Sequence, residues 1–323
     1  MAISGENSAF TLARLEDEGA WRAYRRNGIG GSDVASIMGL SPWRTAAQVW
    51  LEKTGRVEAE DISDRPYVAF GNTMEPLVGK WYAAQHPDRR VRRVNAVCQN
   101  VARPWAMASL DYEVYDPEEG EWGVLEIKTA RNAIDWADGI PPYYLTQIVH
   151  YLSVTVRKFC DVAVFFRDSC EYKCFRYSWD EEDVSAVIAA VDEFWHDFIE
   201  TDTMPKVVGT NGEAADLARY FGKSAGAYVE RHDSYVFDLV NDYQDAAERE
   251  KKAKADKAAA TAKLAAVIGE NRGLITDTAK VTWVRSEYDK LDTKRLKAEQ
   301  PDLFAAYSTR ETRNGGLRVS DLK

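Results

Sequence analysis

Apolar residues recur at threes and fours in some stretches of this 323-residue chain and at twos in others. These two rhythms separate helices from strands. Leu15 to Arg26 carries few breakers and ends near Gly28, which predicts a helix with Trp21 and Arg25 on one face. Ser32 is placed to cap a short helix through Met38, and Ser41-Pro42 to open another running to Gly55. Gly71 to Gln85 predicts a helix with Met74, Leu77, Val78 and Trp81 as its apolar stripe. From Val91 the rhythm shortens. Val91–Cys98, Ala106–Tyr115 and Trp122–Ala130 read as strands, the last two joined by Asp116-Pro117-Glu118-Glu119-Gly120 as an antiparallel hairpin. Pro141 to Val156 predicts a helix buried on Leu145, Ile148, Val149 and Leu152. Strands Phe159–Arg167 and Glu171–Trp179 follow, and Asp180 caps an amphipathic helix that Met204-Pro205 ends.

This order predicts an α/β (α+β) domain over residues 1–205, with a central mixed sheet flanked by helices. Residues 206–235 hold scattered glycines without periodicity and read as a connecting segment. A charged, alanine-rich helix occupies 236–270, and 271–323 forms a small C-terminal α+β module with a strand at Lys280–Arg285, a helical stretch broken at Pro301 and a final strand around Leu317–Val319. The formal charge of −10 argues against coating nucleic acid by bulk charge and leaves room for a local DNA groove. No stretch is apolar enough for a signal peptide or membrane span, and four sparse cysteines fit a reducing compartment, so a cytoplasmic protein is expected. Cys98, Cys160, Cys170 and Cys174 lack the spacing of an iron-sulfur site and read as buried thiols on a sheet; no P-loop is present. His150, one turn from Gln147, reads as an interior or surface histidine.

The candidate chemistry lies on the hairpin. Side chains two apart on a strand share a face, so Ser109 pairs with Asp111 and Glu126 with Lys128. A hairpin sets the two pairs side by side, making Asp111 and Glu126 oxygen ligands for one hard divalent cation, with the Ile127 carbonyl as a third. Leu125 and Ile127 give the strand a buried character, in which a carboxylate and an ammonium are expensive unless paired or metal-bound. Lys128 would orient or deprotonate a water, or stabilise negative charge developing on a phosphodiester.

Several blocks in order resemble the YqaJ-like viral recombinases, the phage lambda exonuclease type within the PD-(D/E)xK nuclease superfamily. They are Trp21-Arg22-Ala23-Tyr24-Arg25, Gly28 to Asp33, Ser41-Pro42-Trp43, Trp50 to Gly55, Gly71 to Pro76, Ser109-Leu110-Asp111, Leu125 to Ala130, and Tyr144 to Gln147 with Tyr151. The resemblance implies a restriction-endonuclease-like core and an Mg²⁺-dependent exonuclease, with Mn²⁺ able to substitute. Such an enzyme digests one strand of linear duplex DNA from its 5′ end and leaves a 3′ single strand for recombination. It makes Asp111, Glu126 and the Ile127 carbonyl metal ligands, Lys128 the catalytic lysine, Glu75 a supporting carboxylate and Gln147 the helix glutamine beside the site. Arg25 and Ser32 match residues that hold a 5′ phosphate. Trp21 would support that pocket and Ser109 would contact DNA. The implied partners are duplex ends, a single-strand annealing protein and further copies of the chain in a trimeric ring, and the implied setting is a bacterial cell, with a phage or prophage gene. Two alternatives stand beside this reading: a recruitment module for an annealing or replication protein, and an endonuclease using the same metal site.

Overall fold

A computed structural model describes residues 9–59, 62–221, 228–283, 287–309 and 319. The chain divides into two compact units, Met1–Gly222 and Lys223–Lys323.

The first unit is built on a five-stranded sheet. Its strands are β2 (Arg90–Arg93), β5 (Tyr112–Asp116), β6 (Glu121–Ala130), β7 (Phe159–Phe166) and β8 (Glu171–Ser178), in the spatial order β2-β5-β6-β7-β8. Only β6 and β7 run parallel; the other neighbours are antiparallel. A parallel pair needs a crossover, and the helix α5 (Pro142–Thr155) supplies it. Every residue of β7 is buried, as expected for a central strand covered on both faces. The mixed sheet flanked by helices expected from the sequence is therefore present. One core cluster joins Val124 of β6 to Ile148, Val149 and Leu152 of α5 and to Val184, Val187 and Val191 of α6 (Glu181–Glu193). The opposite face of β6, through Leu125 and Ile127, packs with Val78 and Tyr82 of α4 (Pro66–Gln85). Glu126 and Lys128 consequently point toward the α5 layer.

Several expected boundaries shift, each for a local reason. The first helix, α1, spans only Glu18–Arg25, capped by the Asp17 carboxylate. The next, α2 (Gly31–Ile37), is capped at Gly30 rather than Ser32, because Asp33 reaches back to the Gly30 N–H. Ser41 stabilises a turn, and α3 (Ala46–Lys53) starts only after Thr45 caps it. Helix α4 begins five residues before Gly71. Its buried side is Val78, Gly79 and Tyr82, while Leu77 and Trp81 of the expected stripe stay exposed. The long extended runs split. β3 (Val97–Asn100) and β4 (Met107–Ser109) leave the main sheet and form a separate three-stranded sheet with β1 (Phe10–Ala13), in which β3 lies between β1 and β4. Asp111 thus sits at the junction between β4 and β5 rather than within a strand. Residues Asn211–Phe221 of the expected connecting segment form a helix, α7, whose Glu213 and Asp216 bond Thr45 and Gln48 at the start of α3. Cys98 and Cys160 are buried, but Cys170 lies exposed in the β7–β8 turn and Cys174 is exposed on β8.

In the second unit, α8 (Ser234–Ile268), capped by Asp233, is the charged helix expected over 236–270. A short hairpin follows, β9 (Gly273–Ile275) with β10 (Lys280–Thr282), and then α9 (Thr293–Glu299) and α10 (Pro301–Ala306), which meet at the expected Pro301 break. The expected strand at Leu317–Val319 lies outside the described residues save for Val319. Among the described residues no helix is long and apolar enough to cross a membrane.

Candidate active site

The parallel crossover brings the chemistry together. Strand β6 carries Glu126 and Lys128 on its α5-facing side, and α5 lays Gln147 over them. Lys128 Nζ lies 2.6 Å from Glu126 Oε1 and donates to Gln147 Oε1 at 3.1 Å, while Gln147 Nε2 donates to Glu126 Oε1 at 3.1 Å and to the Tyr151 hydroxyl at 2.7 Å. This closed triangle orients both the ammonium and the carboxylate. Tyr151, one helical turn after Gln147, completes it; the i, i+4 spacing is the signal that places it there. Asp111 reaches the same place from the β4–β5 junction, its Oδ2 accepting the Ile127 N–H at 2.9 Å. A strand residue presents its N–H and C=O to the same edge, so the Ile127 carbonyl shares the Asp111 side.

Burial and like charge set the electrostatics of the centre. Burial, reinforced by the Asp111 charge, pushes the Glu126 carboxyl up to about 8. Asp111 is also raised, by burial, although Lys128 and the Ile127 N–H oppose the shift. Lys128 is driven down by burial yet ends above its ordinary value, because Glu126 and Asp111 hold its proton. Glu126 Oε2 is buried with no hydrogen-bond partner. An orphaned carboxylate oxygen beside a second carboxylate is the environment that a cation relieves. Among the described residues no three His, Cys, Asp or Glu side chains gather as a metal cage, so the donors on offer are two carboxylates and one main-chain carbonyl. That sparse all-oxygen set suits Mg²⁺, which keeps several waters and takes one or two carboxylates, better than it suits Zn²⁺. The residues fit the ion.

An open cleft of about 230 Å³ joins this centre to the other predicted residues. Trp21, Arg25, Gly30, Gly31, Ser32, Ser109, Asp111, Glu126, Gln147 and Tyr151 all line it. Arg25 Nη2 donates to Ser32 Oγ at 2.7 Å, and its guanidinium lies 4.6 Å from the centroid of the Trp21 ring. Gly31 is required for this juxtaposition: a Cβ there would come within 2.5 Å of the Tyr151 ring. Glu75 lies farther out. Its carboxylate pairs with Arg93 at 2.7 Å, and burial and the Asp111 charge raise its pKa. His150 is interior, as one of its two readings had it; its Nε2 lies 3.2 Å from the Ile29 carbonyl and 3.0 Å from that of Met107.

Sequence reasoning assigned no role to Asp33 and Lys53. Asp33 is buried, accepting from the Gly30 N–H at 3.0 Å and pairing with Lys53 at 2.8 Å. Lys53 also donates to the Arg25 carbonyl at 2.8 Å, fastening α3 to the end of α1 where Arg25 projects. The signal was available, since an acidic residue three places after Gly30 is the N3 partner of a helix cap.

The mixed sheet thus presents two carboxylates and a lysine beside a crossover helix. Residues 20–158 match the model of the YqaJ-like viral recombinase domain family. The chain is 28% identical over 302 residues, 88% of each chain, to "Uncharacterized protein YqaJ" of Bacillus subtilis (strain 168). Among solved structures it is similar to an alkaline exonuclease from Laribacter hongkongensis, at 21% identity and a TM-score of 0.47, over 57% of this chain and 93% of that one. A phage-related exonuclease from Haemophilus somnus 129PT is similar at 11% identity and a TM-score of 0.39, over 56% of this chain and 99% of that one.

Proposed function

We propose that the chain is an Mg²⁺-dependent exonuclease that digests one strand of linear duplex DNA from its 5′ end, supplying 3′ single strands for annealing-type recombination. The observation that carries the metal-dependent nuclease is the buried Glu126 carboxylate, with one oxygen on Lys128, the other unpartnered, and Asp111 alongside. Asp111, Glu126 and the Ile127 carbonyl would hold the ion. A bound Mg²⁺ supplies charge neutralisation at the phosphoryl oxygens and a water of lowered pKa.

The chain's own groups do the rest. Lys128 keeps its proton against burial, which suits it to stabilise negative charge growing on the phosphoryl group rather than to act as the base. Gln147 fixes the ammonium by accepting from it. Arg25 and Ser32, which line the same cleft, present a guanidinium and a hydroxyl to a terminal phosphate. A phosphate anchor in the same cleft as the carboxylates favours cutting near an end, and the 5′ polarity follows the resemblance of Arg25 and Ser32 to phosphate-holding residues.

The test is digestion of linear duplex with Mg²⁺, with chelator, and with 5′-phosphorylated or 5′-hydroxyl ends. The expected outcome is Mg²⁺-dependent loss of 5′-phosphorylated strands, abolished in Asp111→Ala and Lys128→Ala, with closed circles left intact. Nicked circles would replace the exonuclease by an endonuclease, and full activity in both variants would remove the site assignment altogether.

A further inference from the structure

Trp43 is the most conspicuous apolar side chain near the catalytic centre that the mechanism above does not use. It remains 64% exposed. Its backbone nevertheless sits on a pinned turn: Ser41 Oγ accepts the backbone N–H groups of both Trp43 and Arg44 at 3.2 Å. The next side chain, Arg44, is clamped to Glu52 at 2.7 Å and Asp33 at 3.4 Å. The indole meets Tyr143 edge-to-face, with ring centroids 4.9 Å apart and planes at 80°, and Tyr144 at 6.4 Å. Tyr144 in turn lies 5.0 Å from Lys128 Nζ and packs on buried Trp136 at 5.5 Å. A row of rings therefore leads from the Lys128 ammonium to solvent, ending in an open indole. Its base is equally fixed, since Tyr143 and Tyr144 occupy the first turn of α5 behind Pro141 and Pro142.

We infer that Trp43 is a stacking platform for an unpaired base of the DNA engaged at the Asp111, Glu126 and Lys128 site. This rests on the nuclease reading above and extends it to how the substrate is held. Two physical arguments select a nucleobase as the occupant. The chain is acidic overall and the site itself gathers carboxylates, so phosphate attraction alone is a poor grip there. Stacking is uncharged and tolerant of sequence, because every base has a π-face. Within a duplex those faces are covered by neighbouring pairs, so the platform selects for bases already separated from their partners. Trp43 is accordingly a positioning residue, and it should act on substrate engagement rather than on the hydrolytic step.

The experiment uses the full chain and three variants, Trp43→Phe, Trp43→Leu and Trp43→Ala. Binding of duplexes with short single-stranded ends is measured by fluorescence anisotropy in chelator, and digestion kinetics are measured with Mg²⁺. The expected result is that Trp43→Leu and Trp43→Ala bind about tenfold more weakly, raise KM by a similar factor and leave kcat within about twofold of wild type. Trp43→Phe, which retains a π-face, should restore most of the affinity. A purely packing role predicts instead that Leu substitutes as well as Phe, and that outcome overturns the proposal, as does wild-type binding in Trp43→Ala. Wild-type digestion of DNA combined with either result refutes the platform alone. A wild-type protein that digests no DNA refutes the site reading and the platform together.

Discussion

Two buried carboxylates in the same unit, Asp33 and Glu126, are treated in opposite ways. Each lies within the layer of side chains around α2, α5 and β6, and each is almost wholly removed from water. Burial alone would raise both. At Asp33 it is outweighed by Lys53, then Arg25 and Arg44, which hold the carboxyl well below its usual range. At Glu126 one lysine is opposed by Asp111 and Glu75, and the carboxyl is left high with a bare oxygen. A carboxylate rich in opposite charge is held as architecture, whereas one in deficit fits the cation-binding role proposed for Glu126.

The sharpest way to break this contrast is to neutralise each in turn. Glu126→Gln should lower the rate of DNA digestion by roughly a thousandfold while leaving the metal-free melting temperature unchanged or higher, because it removes a carboxyl whose charged form burial penalises. Asp33→Ala should do the reverse in kind. It strands the Lys53 ammonium, and chemical denaturation should show a loss of about 3–5 kcal/mol. If the two substitutions had the same signature, the distinction between the two carboxylates would collapse. A smaller effect is expected at Arg25→Ala: a fall of about tenfold or more in the preference for 5′-phosphorylated over 5′-hydroxyl ends, with closed-circle resistance retained.

The pH dependence separates the same two groups. Because the folded Glu126 lies above its ordinary value of 4.5, its protonated form favours the metal-free fold. That contribution is complete below about pH 4.5 and is lost as pH rises toward 8. Asp33 has the opposite sign. Its depressed folded value contributes stability above about pH 3.8 that disappears only in acid. Thermal melts of metal-free protein between pH 5 and 9 should therefore decline through the neutral range in wild type and flatten in Glu126→Gln.

Much of this arrangement was legible in the sequence. The hairpin turn after Asp116, the alternation that turns Glu126 and Lys128 to one face, and the Pro142-led helix carrying Gln147 follow from periods of two and 3.6 and from turn chemistry. The departure of β3 and β4 into a second sheet was not legible, because it depends on pairing with distant Phe10–Ala13. That departure places Asp111 at a junction and aims its carboxylate at the Ile127 N–H. The charge balance at Asp33 was equally hidden, since Lys53 and Arg44 reach it only after α3 folds against α2.

Calorimetric titration of the metal-free protein with Mn²⁺ at pH 7, repeated in buffers of different ionisation enthalpy, reads the cation deficit at Glu126 directly. Saturable binding accompanied by release of about one proton, with both lost in Glu126→Gln and Asp111→Asn, is the predicted result. Binding without proton release that persists in both variants would contradict it.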